Sequence, residues 1–258
     1  MVKRPMVFAS VPRLLEGGTV LVMGSGPSLH QSDVDLARAH VSAVIAVNDS
    51  YKLAPDADVL YAADARWWGW HKGATAHVTG GGVKYPAFTG RYKYALAAVP
   101  GYPDVQVLRR GPQTGLTLDP GRVALGLNGA YQSINVAVHL GASRVLLLGV
   151  DMQGGHFFGR HPNNSGPPFS MCLQRFETLV EPLKTAGVEV LNCSRKTALK
   201  AFPRVELEQA IGLDPPVVRL VQHVAGPSEV MLPLPREGNR PGQHHPGLSE
   251  PSIAEGAA

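Results

Sequence analysis

A short apolar run that ends in a glycine-rich turn constrains this chain more than any other feature. Thr19–Met23 is β-branched and aliphatic, follows Gly17-Gly18, and leads at once into Gly24-Ser25-Gly26-Pro27-Ser28. That pattern predicts a buried strand running into a tight turn. Residues 29–40 carry a helical pattern; Ser28 or Ser32 can cap it, and Asp33 and Asp35 sit near its start, where carboxylates suit the helix dipole. Strand, turn and helix make the first half of a βαβ unit. Ala43–Val47 and residues 58–63 are further buried runs, ending at Asn48-Asp49 and at Asp64. Beyond Asn128-Gly129, residues 130–140 predict a helix stopped by Gly141, and residues 144–150 form the most apolar strand, with Asp151 directly after it. A helix over 169–186 and a strand over 188–191 follow. The alternation predicts an α/β fold, a Rossmann-like three-layer αβα arrangement with a mainly parallel sheet. Residues 80–125 show weak periodicity and predict no definite element.

A chain of 258 residues has room for one substantial core. Eight prolines fall within residues 213–258, which otherwise hold few large apolar groups, so this stretch predicts a Pro-rich disordered tail behind a folded domain over 1–212. A formal charge of +4 favours anionic ligands. The Lys and Arg residues are scattered, however, and give no strong nucleic-acid signal. Cys172 and Cys193 lack C-x-x-C spacing, which points to reduced thiols and a cytoplasmic setting. The opening residues predict no signal peptide, and the longest apolar run is far too short for membrane insertion. The oligomeric state is not legible.

Glycines at a strand exit let the backbone turn tightly and approach a ligand, and the next helix aims its free N–H groups at an anion such as phosphate. The turn departs from G-x-G-x-x-G, since Leu29 stands at the third glycine, and from G-x-x-x-x-G-K-S/T, since no Lys follows. Both departures argue against NAD and an ordinary P-loop; a plain tight turn is the alternative reading. On the phosphate reading, Gly26→Val blocks the ligand and leaves most of the core intact. Asp64 and Asp151 follow apolar strands, and ligands of open α/β sheets sit at carboxyl ends of strands. These carboxylates could bind Mg²⁺ beside a diphosphate, hydrogen-bond a ribose, or cap the next helix. His156 and His161 offer groups that titrate near neutral pH, suited to proton transfer, unless they are plain loop residues; no further ligands are spaced for a metal such as zinc. Trp67, Trp68 and Trp70, with Arg66, His71 and Lys72, could form an acceptor wall or pack in the core.

The segment VLVMGSGPSL (residues 20–29), Ala46-Val47-Asn48, and Asn128-Gly129 leading to Leu147-Leu148-Gly149-Val150-Asp151 together resemble a known group. It is the Rossmann-like superfamily of bacterial family-42 sialyltransferases and 6-hydroxymethylpterin diphosphokinase-like proteins, with uncharacterised phage and prophage members closer still. The resemblance spans roughly residues 18–205. It implies a transferase with a small-molecule nucleotide ligand, first a glycosyltransferase whose donor is a CMP-linked nucleotide sugar. A Mg²⁺-dependent diphosphokinase or a non-catalytic phage nucleotide-binding protein stands as the alternative, in the cytoplasm of a bacterial host if phage-encoded. It further implies that Gly24, Gly26, Pro27, Ser28, Asn48, Asn128 and Gly129 face the nucleotide; Ser25 is read with them from its place in the turn and Asp64 from its strand end, while Asp151 from its strand end and His156 or His161 from the late loop are read as serving catalysis. Ser25 and Asn128 depart from the sialyltransferase pattern, which has Asn and Ser there.

Overall fold

The computed structural model describes residues 7–159 and 166–213. At its centre lies a seven-stranded sheet built from β1 (Thr19–Met23), β2 (Ala43–Val47), β3 (Val59–Tyr61), β4 (Tyr92–Ala95), β5 (Gln106–Val107), β6 (Arg144–Leu148) and β7 (Glu189–Asn192). Their order is β7-β6-β1-β2-β3-β4-β5, and every neighbouring pair is parallel. Strands covered on both faces read as continuous apolar runs, which is why β1, β2 and β6 stand out in the sequence. β2 is buried along its whole length.

Alternate residues of each strand serve opposite faces. Val20, Val22, Ile45 and Leu147 pack with α3 (Gly129–Leu140), α4 (Phe169–Glu177) and α5 (Val180–Thr185) through Ile134, Phe176 and Leu183. Leu21, Met23, Ala46 and Leu148 pack with α1 (Gln31–Arg38), α2 (Ala65–Trp70) and α6 (Leu207–Ala210) through Val34, Trp68 and Leu207. The expected three-layer αβα arrangement is present. No helix among the described residues is long and apolar enough to cross a membrane.

Several elements differ from expectation for physical reasons. The helix expected over 169–186 is two helices, because Pro182 cannot donate to the Thr178 carbonyl and its ring would collide with it. α1 starts at Gln31 behind His30, which makes no side-chain cap, so neither Ser28 nor Ser32 caps it. Gly141 ends α3 as expected, with φ 99° in the left-handed region that glycine tolerates. The unassigned stretch 80–125 supplies β4 and β5, and a short Arg109–Arg110 strand beside Arg122–Val123. Cys172 and Cys193 are buried and unpaired, and burial pushes the Cys193 thiol up to about 12. His161 and the Pro-rich segment beyond residue 213 lie outside the described residues.

Candidate functional site

From β1 the chain lays strands outward to β5 on one side, then returns to place β6 and β7 on the other. Such a reversal opens a crevice beyond the carboxyl ends of the two strands that flank it, here β1 and β6. A cavity of about 110 Å³ lies there, lined by Gly24, Ser25, Gly26, Asn48, Asn128, Gly129, Asp151 and His156 among others. An adjoining lobe of about 310 Å³, lined by Pro27, Ser28 and Lys196, shares Asp151 and Gln153 with it. Together the lobes reach the size range of small-molecule sites, about 300–1,000 Å³. Residues from strand exits scattered over more than a hundred positions thus converge on one crevice.

The glycine turn is not a row of bare amides. Gly24 donates its N–H to the Leu148 carbonyl and Gly26 to that of Gly149, both at 2.8 Å, while Leu29 closes back on Gly26 at 3.1 Å. Pro27 has no N–H. Ser28 gives its N–H and its hydroxyl to the Asp151 carboxylate at 2.7 and 2.6 Å. Asp151 is 2% exposed. Burial pushes it above its ordinary value, against the pull of the two Ser28 hydrogen bonds. The negative charge at the turn is therefore the protein's own, supplied 123 residues further along the chain. A Cβ on Gly26 would stand 2.5 Å from the Asp151 Cγ and 2.7 Å from the Gly149 carbonyl oxygen, so Gly26→Val disturbs the fold itself. This corrects the expectation that the core would be spared.

Residues at the N-terminus of α1 do not line the crevice, whereas those of α3 do. Asn128 caps α3, its side-chain oxygen accepting from the N–H groups of Ala130 and Tyr131 at 2.8 and 3.3 Å. Among the described residues, the N–H groups of Ser25 and Gly129 have no protein acceptor. Nor does the Asn48 side-chain amide make a hydrogen bond there. Asn48 also holds the left-handed backbone conformation, φ 52°, as do Met152 (φ 52°) in the crevice lining and Leu127 (φ 65°) just before Asn128. Such strain at non-glycine residues is retained where the surroundings enforce it, and it clusters at ligand sites.

His156 is brought to the crevice by a clipped loop. Its backbone pairs with that of Gly159, and Phe157 donates its N–H to the Ser25 carbonyl at 3.1 Å, tying the loop to the glycine turn. The imidazole stacks on Phe158 with centroids 4.9 Å apart, and Phe158 in turn packs on the Lys52 ammonium. Sequence reasoning passed over Lys196, Met152 and Phe169; the one readable signal is Phe169, exposed at the start of a predicted helix.

Asp64 lies elsewhere. It caps α2 by accepting the Arg66 N–H at 2.9 Å and also takes the Arg66 guanidinium at 2.7 Å, lining a separate cavity beyond β3. Removing it in Asp64→Ala is expected to cost about 1 kcal/mol, the usual worth of an N-cap, with ligand binding in the β1–β6 crevice unchanged. Paired urea melts and titrations check this. Trp67 and Trp68 are core residues rather than an acceptor wall, 4% and 0% exposed, with their indole N–H groups given to Asp49 and the Ala62 carbonyl. Asp49, read in the sequence only as a polar strand exit beside Asn48, is buried and accepts from Trp67 and His71, both at 3.0 Å, beside Lys52.

No protein-family model matches the chain, and no curated protein matches it. Among solved structures, the chain is similar to the sialyltransferase CstII from Campylobacter jejuni in complex with a substrate analogue, cytidine-5'-monophosphate. The match has 13% identity over 73% of this chain and 84% of that one, with a TM-score of 0.48.

Proposed function

We propose that this protein is a nucleotide-binding transferase, a glycosyltransferase that uses a CMP-linked sugar. The observation that carries this reading is the convergence of Gly24, Gly26, Asn48, Asn128 and Gly129 in the crevice between β1 and β6. These are the positions the motif resemblance assigns to the nucleotide. On this reading the Ser25 and Gly129 N–H groups and the Asn48 amide bind phosphate and ribose, and Lys196 offsets phosphate charge from the adjoining lobe. Asp151 holds the turn in shape. His156 accepts the proton of the acceptor hydroxyl as that oxygen bonds to the sugar's anomeric carbon. CMP leaves in the same step, taking the electron pair of the carbon–oxygen bond that breaks.

A Mg²⁺-dependent diphosphokinase loses its support, because the two carboxylates proposed for the ion line different cavities. Asp64 is engaged by Arg66 and Asp151 by Ser28.

The test is titration with CMP, AMP and GMP of the full chain and of Asn48→Gly. Glycine suits the φ of 52° and removes the amide, so thermal stability is expected to hold or rise. CMP affinity is expected to fall about tenfold, roughly 1.4 kcal/mol. Unchanged CMP affinity in the variant, or no nucleotide binding at all, overturns the reading. His156→Gln is expected to keep CMP affinity and lose transfer from a CMP-sugar.

A further inference from the structure

A second cavity, of about 460 Å³, opens beyond the carboxyl ends of β3 and β4, on the same edge of the sheet as the crevice. One stretch of chain serves both: Leu125, Leu127 and Gln132 line this cavity, and Asn128, Gly129 and Ala130 line the crevice. Its ionic groups are two guanidinium groups, Arg66 and Arg110, and one carboxylate, Asp64.

The three are not equivalent. Arg66 spends its Nε–H and one Nη on Asp64, at 2.9 and 2.7 Å. Among the described residues Arg110 makes no ion pair and no side-chain hydrogen bond, so the cavity is left one positive charge in excess. The Gln132 amide is held elsewhere, accepting from the Tyr61 hydroxyl at 3.1 Å and donating to the Leu125 carbonyl at 2.7 Å, and it carries no charge to offset the guanidinium. Leu96, Leu125 and Leu127 supply an apolar wall. Leu127 is held against it in a strained left-handed conformation while staying 37% exposed. A cavity with an unpaired guanidinium, a carboxylate able to accept hydroxyl groups, and an aliphatic wall matches one ligand class. It is a small polyhydroxylated molecule, such as a sugar, that carries an oxyanion.

We propose that this cavity binds an anionic sugar as the second substrate, with Arg110 gripping its carboxylate or phosphate, Asp64 accepting its hydroxyls, and the leucines packing on its ring. The role as second substrate rests on the nucleotide reading of the crevice; the binding itself does not.

The experiment is ligand-observed NMR titration of the full chain with D-glucuronate, glucose 6-phosphate and uncharged methyl glucoside, with and without saturating CMP. At least one anion is expected to bind with a Kd on the order of 1 mM, and methyl glucoside about tenfold more weakly. Which anion binds identifies the oxyanion. Arg110→Met keeps the length of the side chain without its charge, and is expected to weaken the anion about tenfold with CMP affinity intact. Equal binding of charged and uncharged sugars, no binding of either anion, or unchanged anion affinity in Arg110→Met overturns the proposal. Anion binding that persists while CMP fails to bind sinks the nucleotide reading alone.

Discussion

Asp49→Ala is expected to destabilise the protein by about 3–5 kcal/mol, the cost of breaking one partner out of a buried charged cluster. Asp49 is 4% exposed, and its carboxylate holds the Trp67 indole, the His71 imidazole and the Lys52 ammonium at once. Without it, Lys52 keeps, among the described residues, the faces of Tyr85 and Phe158, and a half-buried ammonium loses its counter-ion there. Burial pushes the Asp49 carboxyl up, but the hydrogen bonds and charges of His71 and Lys52 outweigh it and hold the group well below its ordinary value of 3.8. A carboxylate lowered by folding adds stability above the unfolded value, and that stability is lost as pH falls below about 4. Wild type should therefore lose stability steeply below about pH 4, and Asp49→Asn should show a shallower acid limb. Urea midpoints between about pH 3 and 7 measure both. Parallel acid limbs would mean that Asp49 is not the group that fails. The same cluster anchors the turn behind Asn48 and, through Phe158, the loop behind His156, so on the proposed nucleotide reading CMP affinity should fall along with stability.

That cluster also marks where sequence reasoning stops. β1, β2 and β6 were legible because strands buried on both faces are apolar without interruption, and Gly141 because only a left-handed residue ends α3 there. Gly24, Gly26, Asn48, Asn128, Gly129 and Asp151 were legible in the crevice because each follows a buried strand or opens a helix at a recognisable motif. Their partners were not. Ser28 reads as a helix cap until Asp151 arrives from the far side of the sheet, and Asp49 reads as a polar strand exit until α2 folds Trp67 and His71 back onto it. Asp64 shows the opposite failure: an identical strand-end position, but on β3, two strands from the reversal that makes the crevice. Position along a strand is written locally, whereas position across the sheet is set by pairing. β5 has two residues and no period to read.

Gly26→Ala should test how tightly the turn and Asp151 depend on each other. An added Cβ meets the Asp151 carboxyl at 2.5 Å and the Gly149 carbonyl oxygen at 2.7 Å, and both are held, one by Ser28 and one by the Gly26 N–H itself. Nothing flexible can move aside, so the cost should reach the upper end for overpacking, about 3 kcal/mol. Gly69→Ala is the control: its Cβ meets nothing within 4 Å inside α2, and alanine is the better helix former, so stability should hold or rise by up to about 1 kcal/mol. Asp151→Ala removes the carboxyl from the path of the new Cβ and leaves the Ser28 N–H and hydroxyl unpaired, at about 2–3 kcal/mol. Combining Gly26→Ala with Asp151→Ala should therefore cost about 1 kcal/mol less than the sum of the single changes, because the collision counted in Gly26→Ala alone is absent from the double variant. The remaining contact with the Gly149 oxygen keeps the double variant well below wild type. Strict additivity in chemical melts would show that the turn does not rest on Asp151. The crevice floor would then owe its shape to the backbone bonds from Gly24 and Gly26 alone.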